Sequence, residues 1–74
     1  MIEKGATLGI LGGGQLGMMF TQAAQKMKYK VIVLDPDQDS PAGKIADEHL
    51  QSMFTDSNAT NYLIETCRAV STEF

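Results

Sequence analysis

The 74-residue sequence has one cysteine, one histidine, no tryptophan and only two prolines. Cys67 alone cannot build a disulfide framework, and with His49 as the single histidine no Cys/His zinc site can form within one chain. No apolar run approaches the roughly 18 residues that a membrane-spanning helix needs. Positive charge is scarce too. Six Lys+Arg against nine Asp+Glu give a net charge of −3, which argues against nucleic-acid or membrane-surface binding. The first residues, MIEKGA, lack the basic and apolar regions of a signal peptide, which points to a cytoplasmic protein. Length is the last shortage. The chain allows one domain at most, and folding alone would bury only about 60% of its extended surface. That is a thin core for a parallel α/β pattern without staples.

An α/β pattern is nevertheless what the sequence carries. Thr7 to Leu11 is an apolar run ending in Gly12, Gly13 and Gly14, as expected of a strand buried on both faces of a parallel sheet. From Gln15 to about Lys28 the period becomes helical. Leu16, Met19, Phe20, Ala23 and Met27 form an apolar stripe expected to face the core, with Gln22, Gln25 and Lys26 opposite. The methionines read as core filler on this pattern. Lys26, Lys28 and Lys30 gather at the helix end, where cations complement its dipole. Val31 to Asp35 is a second β-branched run, stopped by Pro36. Strand, helix and strand make a right-handed βαβ unit.

Beyond Asp35 the elements shorten. Ser40 followed by Pro41 is a helix-start signal, predicting a short helix from Pro41 to about Ala46. His49 to Phe54 reads as a weak strand with Leu50 inward. Asp56 or Ser57 then caps a helix with Ala59, Tyr62, Leu63 and Cys67 on one face. Ala69 to Phe74 reads as a fourth strand, expected beside the first and across from the second. The fold class is α/β: an incomplete Rossmann-like parallel sheet with flanking helices, spanning residues 1–74. The ending on strand-like residues suggests a fragment.

The chemistry concentrates at Gly12-Gly13-Gly14-Gln15-Leu16-Gly17, which fits G-x-G-x-x-G between a strand and a helix. Glycines permit a tight turn and close ligand approach. Gly17 lets the helix pack close, and free N–H groups with the helix dipole attract an anion. Gly12, Gly13 and Gly17 are therefore candidates for a phosphate or backbone loop. Asp35 ends the second strand, where it can hold ribose hydroxyls or cap the turn at Pro36. Asp37 and Asp39 follow closely, but the run reads as a solvated turn and helix cap, so no metal site is expected. Glu73 falls at the end of the fourth strand. Its carboxylate is either placed to accept hydrogen bonds from a ligand or exposed at a frayed terminus. His49 reads as a polar strand-edge residue and Cys67 as core. The loop with Asp35 also fits an NAD(P)-binding dehydrogenase domain or a nucleotide-sensing regulatory module.

The combination of GILGGGQLGMM with YKVIVLDPDQDSPAGKIADEH narrows the choice. It resembles the N-terminus of the N5-carboxyaminoimidazole ribonucleotide synthetases, ATP-grasp enzymes of purine biosynthesis, and the likeness runs the length of the chain. The resemblance implies an N-terminal pre-ATP-grasp domain, with the ATP-grasp and C-terminal domains absent. It implies carboxylation of 5-aminoimidazole ribonucleotide with ATP and bicarbonate, through carboxyphosphate, in a homodimeric parent. ATP and Mg2+ would bind outside this segment, and no catalytic residue falls within it. Gly14, Gln15, Leu16 and Glu73 would bind the ribonucleotide, leaving Asp35 no need to touch adenosine. The chain departs from the family at Lys28, where glycine is usual, so the helix is expected to lack its left-handed cap.

Overall fold

The computed structural model describes residues 5–72. In chain order the elements are β1 (Thr7–Leu11), α1 (Gln15–Lys26), β2 (Lys30–Leu34), α2 (Pro41–Ile45), β3 (Glu48–Leu50), α3 (Ser57–Thr66) and β4 (Ala69–Thr72). The four strands form one parallel sheet in the order β3-β2-β1-β4. The fourth strand lies beside the first, as expected for a doubly wound sheet.

Strand alternation divides the core into two layers. Leu8 and Ile10 pair in register with Val31 and Val33, and these four pack with Ala24 of α1 and Ala42 of α2. On the other face, Ile32 and Leu34 pack against Leu63 of α3, with Leu11, Leu50, Ala59 and Cys67 around them. Because Val31 to Leu34 are all buried, β2 is covered on both faces. β4 differs: its residues are all exposed.

Local signals explain the short helices. Ser40 caps α2 by accepting from the Gly43 N–H at 3.0 Å, with Pro41 at the first helical position. The Asp56 carboxylate caps α3, accepting from the N–H groups of Asn58 and Ala59.

Five expectations are corrected. Most of the apolar stripe of α1 does not face the sheet: Leu16, Met19 and Met27 are 63%, 56% and 60% exposed, while Phe20 is partly buried against the core as expected. The buried face is made of Gly17, Thr21 and Ala24. A Cβ on Gly17 would lie 2.5 Å from the Gly12 carbonyl oxygen, so the helix sits too close to the loop for large side chains on that face. The methionines are accordingly not uniform filler, since Met53 is exposed as well. The third strand comes earlier and is shorter, Glu48–Leu50 rather than 49–54, because as an edge strand it needs only backbone pairing with β2. Tyr62 turns outward from α3, its hydroxyl donating to Glu48 Oε1 at 2.9 Å. Finally, α1 does have a left-handed cap. Lys28 itself adopts φ 72, the Lys28 N–H donates to the Gln25 carbonyl, and the Tyr29 N–H donates to that of Ala24, both at 3.0 Å. These are the two bonds of a Schellman ending.

Candidate functional site

The carboxyl ends of β1 and β2 carry the glycine loop and the segment after Asp35, and hydrogen bonds join them. Gly12 leaves β1 at φ 97, a left-handed conformation suited to glycine, while its N–H donates to the Leu34 carbonyl at 2.9 Å. Gly13 is held at both of its polar atoms. Its N–H donates to Asp35 Oδ2 at 2.8 Å, and its carbonyl accepts from the Ser40 hydroxyl at 2.6 Å and the Ala42 N–H at 2.9 Å. A Cβ at Gly13 would collide with the Ser40 hydroxyl and come within 2.8 Å of Val33. Asp35 is itself anchored. Its Oδ1 accepts from the Asp37 N–H at 2.8 Å, capping the turn at Pro36, and its carbonyl accepts from His49 Nε2 at 3.0 Å. Since a carbonyl only accepts, Nε2 carries the ring proton in that bond.

Past this anchor the chain opens toward solvent. Gly14 is the N-cap of α1, in extended conformation and without a side-chain cap. Gln15 and Leu16 are exposed, and the first turn of α1 has no acidic residue to oppose an anion at the positive end of its dipole. Gly17 makes the close approach already described, and Thr21 donates its hydroxyl proton to the Gly17 carbonyl at 2.8 Å. On the other side of β1, Leu11 pairs with Thr72, so β4 ends level with the start of the loop. Glu73 lies outside the described residues.

The remaining candidates stand apart from the loop. Cys67 ends α3 half-buried against the Leu63 layer. Burial, and secondarily the Glu48 carboxylate, push its thiol pKa upward, so it is a poor thiolate nucleophile at neutral pH. Among the described residues no group of three or more His, Cys, Asp or Glu is placed to hold a metal ion, and no helix is long and apolar enough to cross a membrane. Sequence reasoning read Ser40 only as a helix cap and did not find its bond to Gly13. The signal was the co-occurrence of GGGQLG with LDPDQDSPA, two runs that make one structure.

A parallel sheet in this order, with a glycine loop opening a helix at the carboxyl end of its first strand, defines a Rossmann-like α/β domain. More specifically, the chain belongs to the ribonucleotide synthetase preATP-grasp domain family, which it matches over residues 5–74. It is 51% identical over 73 residues to the N5-carboxyaminoimidazole ribonucleotide synthase of Staphylococcus aureus, covering 99% of this chain and 20% of that protein. The crystal structure of the Staphylococcus aureus N5-carboxyaminoimidazole synthetase complexed with ADP is similar at a TM-score of 0.95 and 49% identity, over 99% of this chain and 20% of that one. The Thermotoga maritima N5-carboxyaminoimidazole ribonucleotide synthetase follows at 0.90 and 43%, over 93% and 19%. The chain thus spans about a fifth of the length of the relatives it matches.

Proposed function

We propose that this chain is the N-terminal domain of an ATP-grasp ligase that carboxylates 5-aminoimidazole ribonucleotide to N5-carboxyaminoimidazole ribonucleotide, and that its glycine loop forms one wall of the ribonucleotide site. The observation that carries this reading is the likeness to N5-carboxyaminoimidazole ribonucleotide synthases along 99% of the chain. In this reading the backbone of Gly14 and the exposed Gln15 and Leu16, at the positive end of α1, meet the ribonucleotide. The Leu11–Thr72 register supports adding Glu73 from the far side. Its carboxylate would accept hydrogen bonds from a substrate amine or hydroxyl.

Gly12, Gly13 and Gly17 shape the loop, and Asp35 holds it rather than a ribose. A dinucleotide-binding role is the weaker reading, because the likeness along the chain is to N5-carboxyaminoimidazole ribonucleotide synthases and the Asp35 carboxylate has a structural task in holding the Gly13 and Asp37 N–H groups. ATP, supported by the ADP in the Staphylococcus aureus structure, would bind with Mg2+ outside this chain. The described residues offer no acidic cluster suited to Mg2+. ATP would activate bicarbonate as carboxyphosphate, and this chain's task is to hold and orient the amine that attacks it. The parent would be a cytoplasmic homodimer, a point that sedimentation of the full-length protein checks.

The test is kinetic. Glu73→Gln in the full-length enzyme should raise the KM for the ribonucleotide much more than that for ATP. Equal effects on both would refute the assignment of Glu73, and tight NADH binding without ribonucleotide binding would refute the function.

A further inference from the structure

We propose that Asp35 and Ser40 are positioning residues for the ribonucleotide, acting through Gly13. This rests on the functional reading above and adds how the loop acquires its shape. Three consecutive glycines have broad conformational freedom, and a loop that is ordered only on binding loses affinity to that ordering. Here the freedom is removed beforehand. Asp35 Oδ2 takes the Gly13 N–H, while the Ser40 hydroxyl and the Ala42 N–H take its carbonyl.

The clamp is itself rigid. Ser40 is buried and also caps α2, and Asp35 is fixed at Oδ1 by Asp37 and at its carbonyl by His49. Neither residue has to touch the ligand. They set the peptide from which Gly14, Gln15 and Leu16 continue, and so the direction of the N–H groups and side chains beyond it.

Asp35→Asn replaces one acceptor oxygen with a donor that faces a backbone N–H. Ser40→Ala is milder, because the Gly13 carbonyl keeps the Ala42 N–H. Asp47→Asn is the control. Asp47 Oδ2 accepts from the Val31 N–H at 2.8 Å, a carboxylate-to-backbone bond near the opposite end of β2. In the full-length enzyme, Asp35→Asn should raise the ribonucleotide KM by about tenfold, the factor for a lost hydrogen bond to a charged group, and Ser40→Ala by a smaller factor of about three- to fivefold. The KM for ATP should move by less than about twofold, as for an independent site. Asp47→Asn should lower the melting temperature and leave both KM values in place.

Folded clamp variants with an unchanged ribonucleotide KM, or with both KM values raised alike, overturn the proposal. If Asp35→Asn does not fold, Ser40→Ala decides alone. A wild-type enzyme that shows no ribonucleotide-dependent ATP turnover removes the functional reading and this one with it. Normal wild-type turnover with unmoved variants removes only the clamp.

Discussion

Lys28→Gly should stabilise the protein, although it deletes a charged side chain from a helix end. Lys28 sits at φ 72, where an L side chain crowds its own backbone. The left-handed conformation costs a non-glycine residue about 1–2 kcal/mol. Glycine removes that strain but brings a more flexible unfolded chain, an offset of about 0.4–1 kcal/mol. Losing one cation near the C-terminus of α1 removes about 0.3 kcal/mol, a small loss while Lys26 and Lys30 remain. The net expectation is a gain of about 0.5 kcal/mol, which raises the melting temperature by roughly 2–4 °C in a chain of this size. Both Schellman bonds, Lys28 N–H to Gln25 and Tyr29 N–H to Ala24, are made by the backbone and survive the change. Thermal unfolding followed by far-ultraviolet circular dichroism reads the effect. Lys28→Ala serves as the control, since it keeps the strain and should give no such gain. A glycine variant no more stable than the alanine variant would refute the reasoning.

Gly17→Ala should be among the more damaging single-methyl additions, because its Cβ would lie 2.5 Å from the Gly12 carbonyl oxygen, a backbone atom with little room to move. Overpacking of this kind costs about 1–3 kcal/mol. Urea denaturation should show it, and a midpoint equal to wild type would mean that the loop and α1 are not held together as described. Alkaline pH should also destabilise the chain. The Cys67 thiol is raised from 9.0 by burial and by Glu48, and the Tyr62 phenol from 10.0 chiefly by its bond to Glu48. Below those values both groups are protonated whether folded or unfolded. As pH rises past them, the unfolded chain loses its protons first and stability falls. Urea midpoints measured across that range should decline in the wild type and flatten in a Cys67→Ala, Tyr62→Phe double variant. Parallel declines would exclude these two groups as the cause.

Much of this fold could be read from the sequence where one signal acted alone. Thr7 to Leu11 is bounded by glycines and forms β1 with those limits, and Ser40-Pro41 starts α2 as its cap chemistry demands. The place of β4 beside β1 followed from the rules of doubly wound sheets. The buried face of α1 could not be read in the same way. Hydrophobic periodicity marks Leu16, Met19 and Met27, whereas the separation between helix and loop selects Gly17, Thr21 and Ala24. That separation is a property of the assembled structure. The limits of β3 were harder to read: a strand was expected over His49 to Phe54 but runs over Glu48–Leu50, because pairing at a sheet edge uses backbone atoms and leaves side-chain polarity unconstrained. At the candidate site the loop was visible as a motif. Its attachment to Asp35, Ser40 and Ala42 joins positions far apart in sequence and emerges only when β1 and β2 lie side by side.

The strand order also sets a timetable for synthesis. β1 lies inside the sheet, with Leu8 paired to Val31 on one side and to Ala69 on the other. Chains grow from the N-terminus, so the first pairing becomes available early and the second only when residues 69–72 have left the ribosome. In that interval one edge of the apolar strand TLGIL offers unpaired N–H and C=O groups to any passing strand. α3 precedes β4 in the chain and carries Leu63 to the face of Gly9, where a Cβ would come within 3.0 Å of it. One face of the nascent sheet is therefore sheltered before its edge is closed. Slowing translation just before Ala69 would lengthen the exposure of that edge and favour aggregation over native pairing.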